Sequence, residues 1–370
     1  MSRFKLPASV LANLLACAAA SAQTPAPSVT VYGVLDVALE WADAGLGSVK
    51  AVQSGGMMGS RWGLRGVEDL GDGLKAVFVL EGGFGADTGT LQQGGRAFGR
   101  EARIGLDGSW GAVALGRQYS PQFWAFSRID AFQLGLSGGL PVITRTRQGP
   151  SGPTPAGLLT SYVNTGRTDN SITYTSPLLG GFRFRGMVGL GETPGADRSG
   201  FTWGAGAHYT VGEMDLNAGY TTRRDNDGAG DLKALSVGGS YLIGDAQVYL
   251  GYTRDSNTTA ATPSAGAPKT EYALTNVGVR YKLSSPTTLI AQYTRISDES
   301  DGLPANRDGN VVAVGVVHDL SRRTAVYGSV GLVTNQNGSN YSLGGGLWVG
   351  TPAGNDANGK SVMVGIRHLF

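Results

Sequence analysis

The side chains able to do chemistry in this sequence are mostly arginines, and acids are scarce around them. Between Asp107 and Asp169 the one carboxylate is Asp130, while Arg117, Arg128, Arg145, Arg147 and Arg167 occupy the same interval. Guanidinium groups without acids to pair with hold a positive field, which concentrates anions but breaks no bond. Bond-making chemistry finds little support. The three histidines, His208, His318 and His368, stand far apart, and the one cysteine is Cys17. There is no G-x-S-x-G elbow, no H-E-x-x-H pair and no cysteine cluster. The Gly-Ala-Gly-Ala-His run at 204–208 lies in strand-like alternation rather than ahead of a helix, so it does not read as a phosphate loop. The sequence therefore points to no enzyme, no cofactor and no metal site.

The elements that would position these arginines are long strands. In SVTVYGVLDVALEWA, Val29, Val31, Leu35, Val37 and Leu39 fall on one face, and Thr30, Tyr32, Asp36 and Glu40 on the other. Alternation at period two over that length describes a strand with one apolar face and one wet face. LKAVFVLE repeats it, with Ala76, Phe78 and Leu80 opposed to Lys75 and Glu81, and AQVYLGYT repeats it again. About 16 such segments follow one another, joined alternately by short turns and longer polar loops, as in a transmembrane β-barrel. Short turns are expected at 69–73, 108–111, 178–181, 244–245, 284–286 and 320–323. Longer loops fall at 85–95, 257–268, 297–308 and 335–360. Closure follows from physics, because hydrocarbon cannot satisfy the N–H and C=O groups of an open sheet edge. The last segment, SVMVGIRHLF, puts Val362, Val364, Ile366, His368 and Phe370 on one face, so it reads as a closing strand that pairs with the first and ends in an interfacial aromatic.

Composition agrees with export to such a site. Arg3 and Lys5 precede an apolar run from Val10 to Ala20, and Ala20-Ser21-Ala22 forms a small-x-small cleavage pattern. Residues 1–22 are expected to be a signal peptide and 23–370 the barrel domain. That cleavage pattern fits better than the competing reading, lipid attachment at Cys17 in LLAC. With Cys17 inside the leader, the exported chain would hold no disulfide. Sixty of 370 residues are glycine, and 30 Lys and Arg stand against 28 Asp and Glu. Charge so nearly balanced gives no reason to expect a nucleic-acid partner.

Several ordered segments also carry a family resemblance. SVTVYGVLDVALE, SRWGLRGVEDLGDGLKAVFVLEGGF, FGREARIGLDGSWGAVALGRQYSP, DNSITYTSP and the closing VGIRHLF resemble general porins of Gram-negative bacteria, most of all the trimeric beta-proteobacterial type. The similarity runs from about Ser28 to Phe370. It implies a homotrimer in the outer membrane, passive diffusion of small hydrophilic solutes, and a third external loop folded into the lumen. By strand counting that loop spans about Ser120 to Thr168, which accounts for its length. The resemblance carries the wall arginines onto Arg61, Arg117 and Arg167. Alternation supports Arg61, since Trp62 and Leu64 take the lipid face. Arg65 shares the face of Arg61, opposite the lipid side, and Lys75 and Arg103 on the adjacent strands join them.

Arg117 conflicts with strict alternation, which aims it at lipid, so the strand is expected to end or bulge before it. In related porins acids on the third loop face the arginines; here the loop offers Asp130, together with Arg145 and Arg147. The expectation is a passage that prefers anions. Two rivals stand beside it. A substrate-specific channel would use Phe123, Trp124, Phe126 and Phe132 as a track, although packing of the loop against the wall is the more ordinary role for such a cluster. A closed structural or adhesive barrel would carry its information in its outer loops.

Overall fold

The computed structural model describes residues 28–149, 152–157, 166–195, 198–225, 230–258, 269–301, 307–344 and 353–370. The leader expected at 1–22 lies outside them. The strands are β1 (Ser28–Asp43), β2 (Ser48–Ser54), β3 (Arg61–Gly71), β4 (Leu74–Gly83), β5 (Glu101–Gly108), β6 (Gly111–Tyr119), β7 (Ile143–Gly149), β8 (Gly152–Gly157), β9 (Arg167–Thr175) and β10 (Phe182–Gly189). They continue with β11 (Thr202–Val211), β12 (Met214–Arg224), β13 (Asp231–Ile243), β14 (Ala246–Asn257), β15 (Thr270–Ser284), β16 (Thr287–Asp298), β17 (Gly309–Asp319), β18 (Thr324–Asn335), β19 (Tyr341–Leu343) and β20 (Gly359–Leu369). Among the described residues one short α-helix, α1 (Pro121–Phe126), interrupts them. No described helix is long and apolar enough to cross a membrane.

Antiparallel pairing closes the strands into a cylinder. β20 returns to β1, with Val34 opposite Leu369 and Asp43 opposite Lys360. β1 is long enough for two further partners on its other edge, β3 along its first half and β2 along its second. β2 and β3 are therefore one stave broken at 55–60, and the closed barrel has 16 staves. β7, β8 and β19 form a separate small sheet.

The outer face is apolar, as alternation requires. Leu250 and Val31 are each 63% exposed. Trp110, Tyr174, Phe182, Tyr241, Tyr281 and Phe370 are exposed beside the short turns or at the chain end, where an aromatic girdle belongs. The Tyr174 hydroxyl donates to the Trp110 carbonyl at 2.8 Å.

The inner face departs from the simple expectation of wet strands. On one side of the barrel it is dry, because the third loop lies against it. Ser120 caps α1 by accepting from the Phe123 amide at 3.2 Å, and Pro121 supplies the fixed φ favoured at a helix start. Beyond α1 the chain runs inside β11–β18 and β20. Phe126, Ile129, Leu140 and Ile143 pack on Tyr272, Leu274, Ile296 and Val311. Met57, Ala131, Phe132 and Leu136 pack with Tyr249, Ile290, Val317 and Tyr327. Glycine on the wall permits the approach: a Cβ on Gly219 would lie 2.4 Å from the Pro121 carbonyl oxygen, and one on Gly278 2.7 Å from the Ala131 Cβ.

Polar wall residues then satisfy the loop backbone. The Asn276 Nδ2 donates to the Ile129 carbonyl at 2.7 Å, Arg280 Nη1 to that of Ala131 at 2.8 Å, and Gln292 Nε2 to that of Gly138 at 3.0 Å. A buried loop without such partners would leave backbone groups unpaired at about 1–3 kcal/mol each. The break in the second stave adds a clasp. Gly56 accepts from the Leu136 amide at 2.6 Å, and the Asp36 carboxylate accepts from the Met57 and Met58 amides at 3.2 and 2.8 Å and from the Tyr327 hydroxyl.

Candidate functional site: a cationic inner wall

Among the described residues the loop packs on one side of the lumen, against β11–β18 and β20, and not on the inner face of β3–β5. Alternation along β3, β4 and β5 aims Arg65, Lys75, Glu81, Glu101 and Arg103 inward, and Arg65, Glu101, Arg103 and Arg185 line a cavity of about 350 Å³. The charges are partly paired. Glu81 accepts from Arg100 Nε at 2.6 Å and from the Tyr32 hydroxyl at 3.0 Å, and Arg61 Nε stands 3.9 Å from it. Arg103 Nε is 2.5 Å from Glu101. The Arg65 guanidinium lies 5.3 Å from the centroid of the Tyr32 ring.

A second group of cations lies around α1. Arg185 is 4.3 Å from the centroid of Trp124 and Arg128 is 5.7 Å from it. Arg167 lies 4.6 Å from the Tyr119 ring centroid, and Tyr119 and Phe123 stack with centroids 4.5 Å apart. Aromatic faces hold guanidinium groups in place without neutralising them.

The nine residues expected at the passage therefore separate. Arg65 and Arg103 come together on the inner wall, in register through Val79, while Arg61 stands further along β3 beside Glu81. Lys75 shares that wall but sits beside the short turn at 72–73, opposite Asp69 and Asp107 in register. Arg167 turns onto Tyr119. At Arg117 the register shifts between Gly116 and Gln118, so alternation is broken there. Its Nη1 is 2.5 Å from Asp169, which Arg96 also binds at 2.8 Å, and its Nε donates to the Gly99 carbonyl at 2.7 Å. The charge is thus held at the outer end of the strand rather than beside Arg65.

Asp130 requires a correction. It is 0% exposed and faces no passage. Its carboxylate accepts from the Phe132, Leu134 and Leu140 amides at 3.0, 3.0 and 2.9 Å, and from Gln292 Nε2 at 3.1 Å. The lone acid of the loop organises the loop. Arg145 is also displaced from the expected cluster: it binds the Tyr272 hydroxyl, lies 5.0 Å from that ring's centroid, and pairs in register with Tyr341 of β19. The side chain of Arg147 lies outside the described residues. Of the aromatic cluster, Phe126 and Phe132 are buried packing residues, whereas Phe123 and Trp124 carry arginines.

Sequence reasoning missed Glu81 as the acid that organises Arg61 and Arg100, although it alternates with Leu80 on the strand of Lys75. It also missed Arg183 and Arg185, whose signal was present in Phe-Arg-Phe-Arg at 182–185. The histidines make local contacts: His208 Nε2 lies 2.6 Å from Asp215, His318 Nδ1 2.9 Å from Thr287 and His368 Nδ1 2.9 Å from Thr324. Among the described residues no three His, Cys, Asp or Glu side chains are placed to hold a metal ion.

Comparison with known proteins adds an independent line. A family model described as Gram-negative porin matches residues 8–338. An outer membrane porin protein of Bordetella pertussis is 28% identical over all of both chains. Outer membrane porin protein 32 of Delftia acidovorans is 31% identical, with 97% of this chain and 98% of that one covered. Among solved structures, an anion-selective porin from Comamonas acidovorans superposes with a TM-score of 0.77 at 26% identity, covering 93% of this chain and 100% of that one.

Proposed function

The chain belongs to the Gram-negative porin family, a passive outer-membrane channel rather than an enzyme, and from that premise we propose that its passage favours anions. The observation that carries this reading is the asymmetry of the lumen. Loop and wall bury each other on one side, and the side left open holds Arg65, Arg103, Arg128, Arg183 and Arg185 with Glu101 and Asp107 as the acids beside them. Fixed positive charge against low-dielectric walls raises the local concentration of anions and repels cations. The third loop narrows the channel by occupying its far side, and the solute moves down its gradient without a cofactor or energy source. The Comamonas protein's description as anion-selective supports the same preference at a distance.

The same membership supports a homotrimer in lipid, and the small-x-small pattern at Ala20-Ser21-Ala22 supports removal of residues 1–22 on export. The test is the zero-current potential of the purified protein in a planar bilayer under a KCl gradient. Its sign is expected to show chloride preference, and replacing Arg61, Arg65 and Arg103 together by glutamine is expected to move it toward potassium. Potassium preference in the unaltered protein would overturn the reading and leave the barrel standing.

A further inference from the structure

Beside the passage, α1 and the wall frame a smaller, half-open pocket of about 160 Å³, whose lining includes Pro121, Trp124, Arg128, Arg183, Arg185 and Gly206. Two of its properties do not follow from a general preference for anions. Apart from its arginines its lining is mostly apolar: Pro121, Ala125, the Trp124 ring, Gly206, Ala207 and Ala218, with Thr175, His208 and Asn217 as the polar members. Its rim is cationic, and among the described residues no carboxylate pairs with Arg128, Arg183 or Arg185. The other charged groups near this rim are already engaged. His208 faces Asp215 at 2.6 Å, and Arg103 faces Glu101 at 2.5 Å. Arg185 is oriented twice, by the Trp124 ring and by its Nε donating to the Thr175 hydroxyl at 3.2 Å. A guanidinium stacked on an aromatic ring keeps its in-plane N–H groups free for a carboxylate.

We propose that this pocket is a binding subsite for a small aromatic carboxylate, of the size and chemistry of benzoate. The volume is that of one ring, since an apolar cavity of about 150 Å³ holds benzene. The ring would lie on Pro121, Ala125 and the backbone at Gly206, and the carboxylate would meet Arg183 and Arg185, with Arg128 on the remaining side. A chloride ion would satisfy the rim and leave the apolar lining wet, while an uncharged arene would do the reverse. Recognition by both parts predicts a solute that slows on its way through, so conductance saturates with that solute alone.

The inference rests on the passage lying along this wall, and the experiment separates the two. Chloride current through the unaltered channel is titrated with sodium benzoate, sodium acetate or benzyl alcohol at constant ionic strength, and the zero-current potential is recorded in parallel. Benzoate is expected to reduce the current saturably, while acetate and benzyl alcohol do not. In the Arg183→Gln/Arg185→Gln variant the half-saturating benzoate concentration is expected to rise by at least about tenfold. Trp124→Leu, which removes the support of Arg185 and leaves every charge, is expected to raise it as well. Both variants are read in channels that still carry chloride current. Equal effects of benzoate and acetate, or of benzoate and benzyl alcohol, overturn the proposal, as does an unchanged benzoate titration in the double variant. Loss of chloride preference with the benzoate effect intact would refute the selectivity reading and leave the subsite.

Discussion

Asp130→Ala tests whether the third loop is latched by its one acid. The carboxylate takes three backbone amides, from Phe132, Leu134 and Leu140, and one side-chain donor, Gln292, in a site without solvent. Alanine leaves the three amides facing nothing, while Gln292 keeps its bond to the Gly138 carbonyl. A buried donor left unpaired costs about 1–3 kcal/mol, so the three amides alone amount to about 3–9 kcal/mol. Even the lower figure shifts a latched-to-released ratio by about 150-fold.

The barrel should survive this substitution, because its staves are joined by their own ladders and none passes through Asp130. The expected phenotype is therefore in the channel: new current sublevels and excess noise in single-channel records, and altered size exclusion in liposome swelling with sugars. Heat resistance of the folded barrel should remain near that of the unaltered protein. Asp130→Asn keeps one acceptor oxygen and should lie between the two. Records and sieving both unchanged in Asp130→Ala would refute the latch and the energetics assigned to it.

Other consequences can be measured directly. Raising KCl from 0.1 to 1 M shortens the Debye length from about 10 to about 3 Å, so the chloride-to-potassium permeability ratio should fall toward unity; a constant ratio would mean selection by contact rather than by field. Leu250→Arg places a charge on an outward face that is 63% exposed, and should lower the stability of the vesicle-embedded barrel by about 2–4 kcal/mol in a denaturant titration. No loss there would show that Leu250 does not meet hydrocarbon. Tyr327→Phe removes a donor to the buried Asp36 carboxylate and should cost about 1.5–3 kcal/mol, read as easier thermal unfolding in detergent; unchanged unfolding would mean that another donor serves Asp36.

Much of this architecture could be read before any coordinates. Period-two alternation identified the staves, and the difference between short turns and long loops ordered them, because both are local consequences of backbone geometry. The outward residues of β1, such as Val29, Val31 and Leu39, are where the alternation puts them. The site was less legible. Asp36 and Glu40 read as wet residues because alternation separates two faces but does not say what covers the inner one; both lie under the clasp and the loop at 0% and 3% exposure. Asp130 read as a lumenal acid because charge in a loop is ordinarily solvated, and its four partners are supplied from as far away as Gln292.

A closed all-β barrel, the place of its third loop and an excess of arginine over acid around that loop are all written in the linear chain. Each follows from neighbours along the chain or from the demand that hydrocarbon places on every backbone group. Only the tertiary structure decided which side of the lumen stays open. That depends on glycines such as Gly219 and Gly278 lying opposite Pro121 and Ala131, and on Asn276, Arg280 and Gln292 reaching the loop's carbonyls. Contacts between residues on distant strands leave no periodic trace in a single chain, so Arg65, Arg103 and Arg185 meet only once it has folded.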